Sequence, residues 1–155
     1  MAIPRVRMFA GPNGSGKSEL IHRLQHFDLP LGPVVNADRI LSQLVRSRFI
    51  DLKDFELSGI TQNDWTSALN EIDELSSRVD KAGEVPSVEI DEDMLVCDGE
   101  LNAYSAALIA DFIRYMMLEQ KLSFSFETVI PDISPRNFFI SKAKFKWRRN
   151  RIYIR

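Results

Sequence analysis

Apolar and polar positions alternate in two rhythms along the 155-residue chain, and each change of rhythm marks a new element. Arg5-Val6-Arg7-Met8-Phe9 has the short alternation of a strand and runs straight into a glycine loop. From Lys17 to Phe27 the spacing of Leu20, Ile21, Leu24 and Phe27 predicts a helix with those residues on one face. Leu29-Pro30-Leu31-Gly32-Pro33 reads as a turn and Val34-Val35-Asn36 as a second strand. Asp38 to Arg48 reads as a helix with Ile40, Leu41, Leu44 and Val45 inward. Trp65, Leu69, Ile72, Leu75 and Val79 predict a longer helix over 63–81. A further helix over 102–121 carries the stripe Ala103, Ala106, Ala107, Ala110, Ile113 and Met117. Residues 123–129 alternate small polar side chains with Phe124 and Phe126, as a third strand would. Pro135 opens a helix to Lys144, and 151–155 reads as a last strand. Strands alternating with helices predict an α/β fold with a parallel sheet.

Composition narrows the class. With 45% apolar and 27% charged residues, one domain with a buried core is expected and wholesale disorder is not. Twenty basic against twenty-two acidic residues leave a net charge of −2, which argues against a general nucleic-acid binder. Cys97, the single cysteine, has no partner for an internal disulfide and reads as a core or boundary residue. His22 and His26 share a helix face without a third ligand and read as surface histidines; Trp65 and Trp147 read as packing residues. No apolar run approaches the roughly 18 residues of a membrane span, and the stretch before the glycine loop is too short for a signal peptide. A cytoplasmic protein with no membrane partner is expected. Charge is nevertheless segregated: 84–100 holds seven acidic residues and no basic one, while 142–155 holds seven basic residues and no acidic one. The first reads as an exposed loop or insertion, the second as a solvated helix end or tail, with a phosphate or nucleic-acid patch as the functional alternative.

Candidate chemistry concentrates in three segments. Gly11-Pro12-Asn13-Gly14-Ser15-Gly16-Lys17-Ser18 matches G-x-x-x-x-G-K-[ST] at every fixed position, with a strand before it and a helix after it. Glycines allow backbone N–H groups to curl around phosphate oxygens, and the helix N-terminus adds its positive dipole end. Lys17 is then the residue that reaches the terminal phosphates, and Ser18 the ligand of Mg²⁺. The second strand ends in Asn36-Ala37-Asp38, where the aspartate is either a base facing the phosphates or the N-cap of the next helix. The third ends in Ser125-Phe126-Glu127-Thr128, where Glu127 contacts substrate hydroxyls or a metal-bound water, or else pairs with an arginine.

Together these segments resemble the zeta-toxin family of P-loop kinases: the glycine loop, then Val35-Asn36-Ala37-Asp38-Arg39-Ile40, then Ser123-Phe124-Ser125-Phe126-Glu127-Thr128-Val129. The resemblance covers roughly 3–48 and 102–145. It implies a three-layer P-loop fold with a parallel sheet of about four strands in kinase-type order, the third strand beside the first. The segment 49–101 is then a variable helical and acidic insertion. It further implies ATP and Mg²⁺ as cofactors, a hydroxyl-bearing small molecule such as a UDP-N-acetyl sugar as acceptor, and an antitoxin protein as partner. By position, Lys17 and Ser18 become the phosphate and magnesium residues, Asp38 the base, and Glu127 and Thr128 the substrate-side strand end. Family kinases continue into a lid whose arginines clamp the triphosphate, and then into a further strand. No motif gives that role to Arg136, Arg148, Arg149, Arg151 or Arg155, so the lid and last strand are expected to be missing. A truncated, catalytically weak nucleotide-binding module is therefore the alternative. A motor-type ATPase or GTPase is the third reading, poorly served because only Val96-Cys97-Asp98 imitates its acidic strand end.

Overall fold

The computed structural model describes residues 3–71, 85–128 and 153–154 of a mixed α/β chain. The chain divides into two compact units, Met1–Val35 with Met117–Arg155, and Asn36–Met116.

The first unit is built on a parallel sheet. β1 (Val6–Ala10) pairs with β6 (Phe124–Thr128) from Val6 opposite Phe124 to Ala10 opposite Thr128. β2 (Val34–Val35) pairs with the other side of β6, Val34 opposite Ser125. The strand read at 123–129 therefore pairs with the first strand, as expected, and lies between it and β2, while Tyr153–Ile154 (β7) runs parallel to β1 at Arg7 and Met8. Phe124, Ser125 and Phe126 are all buried, so β6 is covered on both faces, the usual condition of a central parallel strand. α1 (Lys17–His26) packs one face through Ile21, which joins Phe9, Leu31, Leu24 and Val34 in an apolar cluster. Its predicted face is wider than the buried one, because Leu20 and Phe27 are exposed.

Gly32 sets the approach of the α1–β2 turn to β6. Its φ is +66°, and a Cβ there would lie 2.5 Å from the carbonyl oxygen of Ser123. On either side, Ser125 fastens the turn: its Oγ donates to the Leu31 carbonyl at 2.7 Å and its N–H to that of Pro33 at 3.0 Å.

The second unit departs from the expected helical insertion. α2 (Ala37–Ser47) buries Ile40 and Leu44, while Val45, expected inward, is 61% exposed. Then comes an antiparallel sheet in the order β3-β5-β4, from Phe49–Asp51, Met94–Asp98 and Ser87–Asp91 respectively. The acidic stretch, expected to be an exposed loop or insertion, is largely a hairpin. Its inward positions Val88, Ile90, Leu95 and Cys97 are buried, and Glu89, Asp91 and Asp98 face outward. Its two-residue turn places Glu92 and Asp93 at φ 47° and 63°, the mirror-image turn that matches strand twist. Asp93 secures the preceding loop by accepting the Leu52 N–H on its carbonyl (2.9 Å) and the Ile60 N–H on Oδ1 (2.7 Å).

α3 (Gln62–Glu71) begins in a reciprocal cap: Asp64 Oδ2 accepts from the Thr61 N–H at 2.8 Å and Thr61 Oγ1 from that of Asp64 at 3.3 Å. The predicted helix over 63–81 therefore starts one residue earlier, and its part beyond Glu71 lies outside the described residues. Trp65 is a packing residue, edge-on to Phe112 at 5.1 Å. α4 (Ala103–Glu119) supplies Phe112 and is buried nearly all round between Ser105 and Met117, including the ion pair of Arg114 with Asp111. Among the described residues no helix is long and apolar enough to cross a membrane. The helix expected after Pro135, Trp147 and the five candidate lid arginines lie outside the described residues.

Candidate phosphate-binding site

Within the first unit, the parallel pairing carries the ends of β1 and β6 forward together. The pairing is extended by one bond past the strand, from the Gly11 N–H to the Thr128 carbonyl at 3.3 Å. Whatever leaves β1 therefore starts beside Glu127. The chain then turns tightly, the Ser15 N–H donating to the Pro12 carbonyl at 3.2 Å. Gly14 and Gly16 take φ values of +78° and +81°, a region that costs residues with a Cβ about 1–2 kcal/mol. At Gly11 the reason for glycine is proximity instead, since a Cβ would meet Ser15 Oγ at 2.7 Å. Pro12, Asn13, Gly14, Ser15 and Gly16 are all exposed, so the loop is open to solvent.

α1 follows with Gly16 as its N-cap, a residue without a side chain to cap it. Among the described residues the amides of its first turn are therefore not taken up by the hydroxyl or carboxylate that ordinarily satisfies them. Lys17 folds back over the loop, its Nζ donating to the carbonyls of Gly11 at 2.7 Å and Pro12 at 2.9 Å. Ser18, one residue on, donates its hydroxyl to Glu127, with Oε2 at 3.1 Å and Oε1 at 3.3 Å. A hydroxyl and a carboxylate are thereby placed side by side, hard oxygen donors of the kind that suit Mg²⁺. Among the described residues the partner of Glu127 is the Ser18 hydroxyl, where the sequence also offered an arginine. Thr128 is half-buried, and its contribution to the loop is the main-chain acceptor for Gly11.

Asp38 belongs to the second unit, in the first turn of α2. The capping alternative for it is settled by Asn36, whose Oδ1 accepts from the N–H groups of both Asp38 (2.9 Å) and Arg39 (3.1 Å). Asp38 itself is exposed, in a position where a negative charge is favoured by the helix dipole. His22 and His26 are exposed, and among the described residues no group of three or more His, Cys, Asp or Glu side chains is placed to hold a metal. Cys97 is buried in the second unit. Burial pushes its thiol pKa above the ordinary value, a push opposed by the Arg48 charge and reinforced by Asp98.

Sequence reasoning missed Ser125 as the anchor of the α1–β2 turn. A serine between two phenylalanines in a strand was the available signal, since a buried hydroxyl must find an acceptor. Compared with protein-family models, with curated proteins and with solved structures, the chain gives no match in any of the three.

Proposed function

We propose that the chain binds a nucleoside triphosphate as P-loop proteins do, and that within this class it is a phosphotransferase using ATP and Mg²⁺. More narrowly, it is read as a kinase of the zeta-toxin type, with a hydroxyl of a small molecule as acceptor and an antitoxin protein as partner. The three-layer fold and kinase strand order that such a protein would have belong to the same proposal. The observation that carries the reading is the Ser18–Glu127 contact, 3.1–3.3 Å, beside a loop with the full glycine-lysine-serine motif.

The chemistry follows from the side chains. Lys17 would exchange two loop carbonyls for phosphate oxygens, a stronger, charge-assisted pairing. Ser18 and Glu127 would hold the cation, which sites of this kind bind through one or two protein oxygens together with substrate phosphates. When bound, Mg²⁺ would neutralise charge developing on the transferred phosphate. On this reading Glu127 serves the metal, one of the two roles its sequence position offers, rather than the substrate side that the resemblance implies. Asp38, released from capping by Asn36 and exposed three residues beyond the carboxyl end of β2, would accept the proton of the acceptor hydroxyl.

The test is transfer of labelled γ-phosphate from ATP with Mg²⁺ to a panel of nucleotide sugars, UDP-N-acetyl sugars first, alongside calorimetric ATP binding. Lys17→Ala is expected to weaken ATP binding, and Asp38→Asn to bind ATP and transfer nothing. Normal transfer by Asp38→Asn would remove the base assignment. Binding without transfer to any acceptor would leave the weak nucleotide-binding module, and a wild-type chain that does not bind ATP would end the P-loop reading.

A further inference from the structure

In an antiparallel hairpin, alternate residues turn their main-chain groups toward the partner strand and away from it. Closure of the β4–β5 hairpin at Asp91 opposite Met94 directs the main-chain groups of Val88 and Ile90 away from β5. Among the described residues β4 is an outer strand of its sheet, so these groups form an edge of the kind that recruits another strand. Gln62, the first residue of α3, meets that edge. Its Nε2 donates to the Val88 carbonyl at 3.0 Å, and its Oε1 accepts from the Ile90 N–H at 2.7 Å. One side-chain amide thus supplies the donor and the acceptor that a peptide group of a neighbouring strand would supply. The capping pair Thr61–Asp64 fixes the turn of backbone that presents it.

We infer that Gln62 is an edge-blocking residue and that the strand it excludes is β4 of a second copy of this chain. A copy is the fitting occupant because the edge is nearly self-complementary. In an antiparallel arrangement with its two-fold axis at Glu89, Val88 lies opposite Ile90 of the other copy and the outward donors and acceptors match. The same arrangement sets Glu89 directly against Glu89 of the second copy. Like charges in that position weaken pairing, so Glu89 is a second and weaker barrier. Both barriers act on one short strand, with Pro86 just before it lacking the N–H that would extend the ladder.

Sedimentation velocity on the wild-type, Gln62→Ala, Gln62→Glu and Gln62→Ala/Glu89→Thr chains tests this, with amide exchange at Ile90 as the local readout. Gln62→Ala is expected to speed Ile90 exchange and to self-associate more than the wild type at the same concentration. Glu89→Thr on that background should tighten association about fivefold, and added salt should act in the same direction by screening the two carboxylates. If circular dichroism shows that Gln62→Ala does not fold, Gln62→Glu carries the test, because it keeps the acceptor for Ile90 and loses the donor to Val88. A folded variant with fast Ile90 exchange and wild-type sedimentation would overturn the inference. So would association that Glu89→Thr leaves unchanged, since the contact would then lie elsewhere.

Discussion

Replacing Gly32 by alanine should destabilise the first unit far more than the same change at other glycines of positive φ, and the difference follows from what surrounds it. The backbone angle of +66° alone costs alanine about 1 kcal/mol. At Gly32 the added Cβ also meets the main-chain oxygen of Ser123 at 2.5 Å, closer than real contacts allow, and main chain that leads directly into β6 cannot rotate aside as a side-chain end can. Relief requires the turn to move away from β6, which lengthens the two bonds flanking the site, Ser125 Oγ to Leu31 and Ser125 N–H to Pro33. At about 1 kcal/mol net for each bond, the total comes to roughly 3 kcal/mol. That is a large share of the 5–15 kcal/mol that holds a typical domain together. Gly59 is the control: its φ is +71° but, its chain neighbours aside, no atom of the described residues lies within 4 Å of the position of its Cβ, so alanine there should cost only the backbone component. Urea unfolding of the two variants, followed by circular dichroism, measures both. Equal losses at Gly32 and Gly59 would refute the reasoning, because they would mean that the close approach to Ser123 carries no energy. The perturbation also reaches the candidate site, since β6 carries Glu127, and amide exchange at Gly11 should rise as its bond to Thr128 loosens.

Ser125→Ala removes a buried hydroxyl and leaves the Leu31 carbonyl without it, so a loss of about 1–2 kcal/mol is expected in the same unfolding assay. Cys97 should react with a thiol reagent far more slowly in the native chain than in urea, because it is buried and its thiolate is disfavoured. A folded pKa raised above the unfolded one adds stability that is fully present below the ordinary thiol range and lost as pH rises through the folded value. Denaturant midpoints should therefore fall at alkaline pH in the wild type and fall less in Cys97→Ala. On the proposed function, Ser18→Ala should weaken Mg²⁺-dependent ATP binding about tenfold, the equivalent of one contact near 1.4 kcal/mol, and leave binding without metal unchanged by calorimetry.

What could be read in the sequence was local. The loop from Gly11 to Ser18 announces itself because its glycines, lysine and serine fall in one contiguous motif, and the apolar strand ahead of it and the helix behind it are continuous patterns. The placement of 123–129 beside 5–9 followed from a resemblance and agrees with the observed register. The antiparallel sheet was missed for a physical reason. Its alternation at Val88 and Ile90 was present, but the outward positions are so acidic that charge outweighed period, and its turn uses Glu92 and Asp93 where a glycine or asparagine would have signalled a hairpin. Val45 went wrong in the opposite sense: helical spacing admits it to the stripe, but spacing does not say how wide the neighbouring surface is. Gly32 and Gln62 lay beyond reach because their partners, Ser123 and the edge of β4, are far away in sequence.

The three residues Asn36, Ala37 and Asp38 show how such limits bear on function. From the sequence, asparagine and aspartate are equally good helix caps, and a helix needs only one, so the role of each is undetermined. The backbone decides between them: Asn36 adopts the extended conformation that an N-cap requires, with φ −133° and ψ 120°, while Asp38 is already inside the helix. One side chain then satisfies two amides, and the carboxylate two positions later is left exposed. Exchanging the pair would not preserve this division of labour. An aspartate at position 36 would cap as well, but an asparagine at 38 would leave no carboxylate to take a proton. A chain carrying Asn36→Asp and Asp38→Asn should therefore unfold at the wild-type denaturant midpoint and, on the proposed function, bind ATP without transferring its phosphate. Retained transfer in a chain so changed would mean that the proton goes elsewhere.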